Sequence, residues 1–385
     1  MSAAGPDRRA KVLWLTKGLG RGGAERLLVS AAKRLEGGRF DVQVAYVLPH
    51  KDAHVAELEA AGVATHCLGH ANGRRREAAA MGSGGLGWVP RLRRLLRRER
   101  FDLIHTHSPV AAAAARLVAP RGTPLLHTEH NQWPRYRRLT RAANALTLPR
   151  NQRVLAVSDG VAASIDLVPP LRRATPPVET LIHGIAPEDV ISGAEAAAAA
   201  RRTLGIPADD LVVGSVGNLT PKKDQATLLE AVARLPAPLH PVWVVILGDG
   251  PERDALRQRA HELRLGARTL LPGSRDDVPA LLPALDVFAL PSLHEGLSIA
   301  LVEALAAGVP AVASRVGGIP EVLTDEAGLL VPPRDPEALS AALATLLGDP
   351  AQRRRLGKGA AQRARDFSID PAVERMVTVY DEVLA

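Results

Sequence analysis

Short β-branched and aliphatic runs recur along the chain, each followed by a longer Ala-, Leu- and Arg-rich stretch with apolar residues at helical spacing. In the first half these runs predict strands near 11–16, 41–48, 103–107, 124–128 and 153–158. In the second half they predict strands near 211–216, 242–248, 287–290, 311–314 and 329–331. Strands alternating with helices are the mark of parallel α/β sheets covered on both faces. Two such sets in 385 residues predict two doubly wound domains, each binding ligands beyond the carboxyl ends of its strands. The proline-rich "DLVPPLRRATPPV" (166–178) and the weakly periodic 184–195 place the junction. The expected domains are 1–187 and 188–365, with 366–385 a C-terminal helix packing back on the first. Residues 69–87, "GHANGRRREAAAMGSGGLG", read as a long loop.

Two stretches are basic and carry aromatic residues. "WVPRLRRLLRRERF" (88–101) puts Val89, Leu92, Leu95 and Leu96 on one helical face and arginines on the other. "NQWPRYRRLTR" (131–141) is the second. Each reads either as a core-packed segment with a solvated arginine face or as a contact for an anionic lipid surface.

Composition narrows the setting. One cysteine, Cys67, excludes an internal disulfide and a cysteine-based zinc site. The N-terminal stretch has no signal-peptide apolar core, and no apolar run reaches the roughly 18 residues of a spanning helix. A cytoplasmic protein is expected, with the inner face of the membrane as a candidate peripheral location. The net charge of +8 divides unevenly, +15 over residues 1–185 and −7 over the rest. Either the first half meets an anionic partner or the arginine excess is a compositional bias.

The first candidate chemistry is "VLWLTKGLGRGGAERLL" (12–28), where Gly18, Gly20 and Gly23 fit the G-x-G-x-x-G of a dinucleotide-binding turn. That site needs an acidic residue at the end of the second strand for the ribose hydroxyls. Here the strand ends "VAYVLPH", with Asp41 before it and Asp52 beyond it. The glycines then serve either a phosphate of another ligand or a tight turn alone.

The stronger signal is "LDVFALPSLHEGLSIALVEALAAGVPAVASRVGGIPEVL" (285–323). A strand runs into Pro291-Ser292, then His294-Glu295-Gly296, then a helix carrying Glu303, so the glutamates stand at E-x7-E spacing. The free N–H groups of a helix starting near Gly296, Leu297 and Ser298 suit a diphosphate. Glu295 and Glu303 can accept hydrogen bonds from sugar and ribose hydroxyls. No D-x-D occurs, and the adjacent pairs Asp209-Asp210 and Asp276-Asp277 have the wrong spacing to share one metal.

With these blocks in order, the sequence resembles a family 4 glycosyltransferase of the GT-B fold along nearly all its length. The landmarks are "GLGRGGAER" (18–26), "FDLIHTHSP" (101–109), "TEH" (128–130), "VSDGV" (157–161), "VGNLTPKKDQATLLEA" (216–231), "LGDGPERDAL" (247–256) and the E-x7-E block. The resemblance implies two Rossmann-like domains facing across a cleft, the N-terminal one binding the acceptor and the C-terminal one a nucleotide diphosphate sugar. It implies transfer of a hexose with retention, no metal or other cofactor, and no nucleic-acid partner.

Carried over residue by residue, Lys223 matches the lysine on the donor phosphates, Glu295 the glutamate on the sugar and Glu303 the one on the ribose. Gly22 and Gly23 would let their backbone approach the donor phosphates. His130 matches the histidine near the reacting centre, in acceptor binding or leaving-group stabilisation. In a front-face mechanism the departing phosphate oxygen takes the acceptor proton, so no separate base is required. Two departures stand out. Asn218 replaces the arginine of the family's "VGR", leaving Lys222 or Arg275 to supply that charge. "HGIA" (183–186) replaces the usual "NGID". Arg275 in "LPGSRDD" is also a candidate for the nucleotide base, and the loops at 69–87 and 131–141 should select the acceptor. His107, Trp133 and Arg135 are the candidate acceptor contacts. A saccharide or lipid-linked precursor of a cell-envelope polysaccharide is the expected acceptor. The alternatives are a nucleotide-sugar epimerase, a non-catalytic sugar-nucleotide-binding protein, or the oxidoreductase suggested by the glycines.

Overall fold

A computed structural model of the chain describes residues 8–69, 85–167, 171–186 and 189–385. Most of the loop expected at 69–87 lies outside the described residues, as do parts of the two junction stretches. The chain divides into two compact units, Met1–His183 together with Ile369–Ala385, and Gly184–Ser368.

The first unit is built on seven parallel strands, β1 (Ala10–Thr16), β2 (Phe40–Tyr46), β3 (Ala64–Cys67), β4 (Leu103–Thr106), β5 (Leu125–Glu129), β6 (Arg153–Ala156) and β7 (Val178–Thr180). Their order is β3-β2-β1-β4-β5-β6-β7, so the chain reverses its direction of winding between β1 and β4. Such a switch point opens a crevice at the strands' carboxyl ends. Val12, Leu13, Trp14 and Leu15 of β1 are all buried, as a strand covered on both faces demands. Helices α1 (Gly23–Leu35), α2 (Val89–Glu99), α3 (Pro109–Val118) and α4 (Arg138–Thr147) belong to this unit. In α2, Leu92, Leu95 and Leu96 enter the core while Arg93, Arg94, Arg97 and Arg98 are exposed.

The C-terminal helix (Ile369–Leu384) is part of the same unit. Its Tyr380 hydroxyl accepts from Trp14 Nε1 at 2.7 Å and lies 2.6 Å from His105 Nδ1. Arg375 grips Glu179 of β7 with two hydrogen bonds of 2.5 and 2.7 Å.

The second unit carries six parallel strands, β8 (Leu211–Val216), β9 (Val242–Leu247), β10 (Thr269–Gly273), β11 (Val287–Leu290), β12 (Ala311–Ser314) and β13 (Gly328–Val331), in the order β10-β9-β8-β11-β12-β13. Its switch point falls between β8 and β11. Helices α5 (Gln225–Ala233) and α6 (Ile299–Ala306) follow the loops after those two strands.

All ten expected strands are present, and three more were not expected: β3, β7 and β10. Each lies at the edge of its sheet. Their sequences, ATHC, VET and TLLPG, are largely half-buried or exposed, so they carry no sustained apolar run. Among the described residues no helix is long and apolar enough to cross a membrane.

Candidate active site

In the second unit, the loops after β8 and β11 are tied together where the switch point predicts a ligand. Leu293 N–H donates to the Lys222 carbonyl at 2.8 Å. Lys223 then reaches over Gly217, whose hydrogen leaves room for the lysine's aliphatic stem; a Cβ there would lie 3.2 Å from Lys223 Cε. The Lys223 ammonium donates to Glu295 Oε1 at 2.7 Å, and both side chains are largely buried. Two residues 72 apart in sequence thus form one charged pair.

A third loop locks Glu295 from the other side. Gly318 N–H donates to the Gly296 carbonyl at 3.1 Å. Gly317 has φ +53°, and a Cβ on it would fall inside the Glu295 carbonyl. Glycine is required on both counts. Ser298 is the N-cap of α6 and its hydroxyl accepts from Leu301 N–H at 3.4 Å. The remaining early N–H groups of such a helix have no intrahelical acceptor and carry its positive dipole end. Leu297 and Glu303 are half-buried, Glu303 lying five residues beyond the cap.

Asn218 and Lys222 are exposed beside Lys223. Arg275 sits past the end of the edge strand β10, where Asp277 holds it by two bonds of 2.7 and 2.6 Å. Among the described residues no hydrogen bond or ion pair joins it to Lys223 or Glu295.

In the first unit the glycine loop follows β1. None of Gly18, Gly20, Gly22 and Gly23 has a left-handed φ. Gly18 instead packs closely on the Lys51 side chain, and Gly22 on the Glu25 carboxylate. Close approach, rather than turn geometry, accounts for glycine at position 18, where an added Cβ would lie 2.7 Å from Lys51 Cβ. Gly22 caps α1, which begins at Gly23.

Five histidines, His105, His107, His127, His130 and His183, gather in this unit near the ends of β4, β5 and β7. The His105 and His107 rings are 4.2 Å apart, His107 and His130 5.8 Å, and His130 stacks on His183 at 6.2 Å. His105 is held on both ring nitrogens, by Tyr380 and by Thr128 Oγ1 at 2.7 Å. It is a structural link to the C-terminal helix. Among the described residues, His107 Nε2 and His183 Nε2 are buried without a hydrogen-bond partner. Burial, reinforced by the neighbouring rings, pushes His130 down to about 3. Burial alone brings His183 to about 4. The same two causes hold His105 and His107 well below their ordinary value. Each of these shifts favours the neutral ring.

Glu129 underlies the cluster. It accepts from Trp133 Nε1 at 2.9 Å, from Asn131 N–H at 3.1 Å and from the Tyr136 hydroxyl, and lies 3.5 Å from His127 Nε2. Burial works to raise its carboxyl, but these partners outweigh it and hold it below the usual carboxylate range. Trp133 is therefore buried and committed to Glu129, while Arg135 is exposed. The sequence reading singled out neither Glu129, Tyr136 nor His183 as a site residue. For His183 the signal was available, in the departure of "HGIA" from the usual asparagine. Among the described residues no group of three or more His, Cys, Asp or Glu could hold a metal ion.

Known proteins resemble both units. A family model described as Glycosyltransferase Family 4 matches residues 21–173, and one described as Glycosyl transferases group 1 matches residues 197–363. A D-inositol 3-phosphate glycosyltransferase of Salinispora tropica is 34% identical over 313 residues, covering 74% of this chain and 64% of the relative. That of Salinispora arenicola is 33% identical over 313 residues, covering 74% and 69%. The chain thus spans about two thirds of the length of these relatives. Among solved structures, Anabaena HepE in complex with UDP and glucose superposes with a TM-score of 0.82 at 22% identity, covering 97% of this chain and all of that one. That likeness shows the shared fold. With two doubly wound units, each matched by its own family model, the chain belongs to the GT-B-fold glycosyltransferases, related through its halves to Glycosyltransferase Family 4 and the group 1 glycosyl transferases.

Proposed function

We propose that the chain is a retaining, metal-independent glycosyltransferase that moves a hexose from a nucleotide diphosphate sugar to a hydroxyl acceptor. The Lys223–Glu295 pair at the β8/β11 switch point, beside the capped start of α6, is the observation that carries this reading. Lys223 neutralises charge growing on the departing diphosphate. The N–H groups around Gly296, Leu297 and Ser298 cradle the same phosphates. Glu295 accepts from the sugar hydroxyls and Glu303 from the ribose. Asn218 and Lys222 flank the phosphates, and Arg275 lies towards the base. Gly22 and Gly23 are assigned phosphate approach from the first unit. His130, His107 and Arg135 are assigned to the acceptor, with Trp133 a positioning residue that acts through Glu129.

The bond from the anomeric carbon to the diphosphate oxygen breaks, and the acceptor oxygen bonds to that carbon on the same face. The acceptor proton passes to the departing phosphate oxygen. A lipid-linked or other envelope saccharide is the acceptor this reading favours. The test is a nucleotide-release screen over UDP-, GDP- and ADP-sugars, beginning with UDP-glucose, run with and without added chelator. D-inositol 3-phosphate, named for the relatives, is one acceptor arm. Release that Lys223→Ala and Glu303→Ala both suppress is the expected result; wild-type release by either variant rejects the site. An isomerised sugar formed from donor alone would point instead to an epimerase.

A further inference from the structure

Among the described residues, Arg100, Asp224, Arg264 and Arg334 are the non-glycine residues with a left-handed backbone, at φ 51°, 49°, 59° and 59°. Left-handed residues commonly close helices. Arg100 closes α2 in this way. Arg264 follows the helix Arg253–Glu262, its N–H returning to the His261 carbonyl at 2.9 Å. Arg334 lies in the loop after β13. Asp224 does the opposite: it opens a helix, as the N-cap of α5 with φ 49° and ψ 41°. An N-cap backbone is ordinarily extended. A left-handed non-glycine residue is strained, and it persists only where its surroundings fix it from both sides.

Both sides of Asp224 are fixed. Before it, Lys223 N–H donates to the Thr220 carbonyl at 2.9 Å, closing a turn, and the Lys222 carbonyl holds the β11 loop through Leu293 N–H. After it, Gln225 is 2% exposed, and Leu228 and Leu229 are buried in the core of the unit. The Asp224 carbonyl accepts from Thr227 N–H at 3.0 Å and its Oδ2 from the Thr227 hydroxyl at 2.8 Å. Asp224 is therefore the joint between a turn pinned to the β11 loop and a helix pinned to the core.

The turn carries Lys223, whose stem crosses Gly217 to bring the ammonium to Glu295. A residue that resists the left-handed region would force one anchor to yield. Buried apolar side chains hold α5, whereas backbone hydrogen bonds hold the turn beside Lys223, so the turn yields and the ammonium moves with it. Asp, Asn and Gly accept this conformation; a β-branched residue does not.

We propose that Asp224 is a positioning residue, its left-handed joint aiming the Lys223 ammonium at Glu295 and at the donor diphosphate. This rests on the reading of Lys223 as the phosphate-neutralising group. The backbone conformation performs the task, and the carboxylate is dispensable.

Two measurements on the full chain test this. The first is acetylation by an N-hydroxysuccinimide ester, read by peptide mass and needing no donor. Lys223, with its side chain 13% exposed and ion-paired, should react slowly in wild type. Asp224→Val should speed its acetylation severalfold without changing that of the exposed Lys358. The second is nucleotide release from UDP-glucose. Asp224→Val should lower it about 10- to 100-fold, while Asp224→Asn and Asp224→Gly stay within about threefold of wild type. In a Lys223→Ala background, Asp224→Val should lower release less than about twofold further, because its effect runs through the lysine. Arg264→Val meets a comparable strain far from Lys223 in sequence, and should lower the melting temperature without changing acetylation of Lys223 or release. Thermal melts check folding, and Asp224→Ala, a milder change, carries the comparison if the valine variant melts too low to assay. No selective acetylation, Asn and Gly variants as impaired as valine, or full additivity with Lys223→Ala overturns the role of Asp224 itself. Selective acetylation with wild-type release overturns the proposal instead through the reading of Lys223 on which it rests.

Discussion

Lys223 and Glu295 share one ion pair, so substituting either changes the other's electrostatics. Lys223→Ala removes the charge that the proposed mechanism sets against the diphosphate. Turnover in a nucleotide-release assay should fall on the order of 100- to 1,000-fold. Glu295→Gln keeps a hydrogen-bond acceptor but frees the ammonium. UDP should then bind a few-fold more tightly by calorimetry, while turnover falls on the order of tenfold or more. Equal weakening of binding and turnover would speak against the shared pair. The histidines make a separate, acid-side prediction. His130 and His183 titrate near 3 and 4 in the folded chain, against about 6.5 when unfolded. Between those values the unfolded state binds more protons, so stability is complete above about pH 6.5 and falls as the pH drops through that window. From pH 6.5 to 5 the loss in urea melts should be about 2 kcal/mol for each histidine that stays neutral. His183→Asn should make the dependence shallower by about one proton. The E-x7-E block was readable because its residues lie within one strand–loop–helix passage. The Glu129 hub was not, because its carboxylate becomes informative only once His127, Trp133 and Tyr136 fold around it.

The elements that hold these residues are fixed by backbone as much as by side chains. The loop after β12 presses Gly317 against the Glu295 carbonyl, in a left-handed conformation. Gly317→Ala therefore meets both a strained φ and a backbone clash. It should cost at least about 2–3 kcal/mol and displace Glu295, lowering donor affinity with it. Gly308 is the comparator: φ is +77°, but the nearest atom to an added Cβ, the Gly357 carbonyl, is 3.8 Å away. Gly308→Ala should cost only about 1 kcal/mol and leave UDP affinity unchanged. Equal effects in thermal melts and UDP titrations would remove the special role of the Gly317 contact. The strands show the same dependence on surroundings. The ten readable ones include every interior strand, where burial on both faces leaves a continuous apolar run. The edge strands β3, β7 and β10 have one neighbour each and tolerate polar or proline-containing sequences.

The two units differ in how they are assembled from the chain, and their folding should differ accordingly. Residues 184–368 are continuous and include all of β8 to β13. Both apolar clusters of this unit, around Phe288 and Leu305 on one side and Val244 and Leu343 on the other, draw only on residues 185–367. The first unit is discontinuous. Its C-terminal helix supplies Tyr380 to Trp14 and His105, Arg375 to Glu179, and Asp370 to Arg34 at 2.5 Å. Expressed alone, 184–368 should melt as one cooperative transition and bind UDP within about tenfold of the full chain, because Lys223, Glu295 and Glu303 are all inside it. Residues 1–183 alone should not fold stably. Without the helix the Trp14 N–H and His105 Nδ1 lose the Tyr380 hydroxyl that pairs them, and the strands beneath are opened to water. The apolar face of the missing helix, with Val373, Met376 and Val379, is lost as well. Joining 369–385 to residue 183 through a flexible linker should restore a cooperative melt, and Tyr380→Phe in that fusion should weaken it. A stable, cooperatively melting 1–183 would show that the Tyr380 contacts contribute little to this unit, whatever the second one binds.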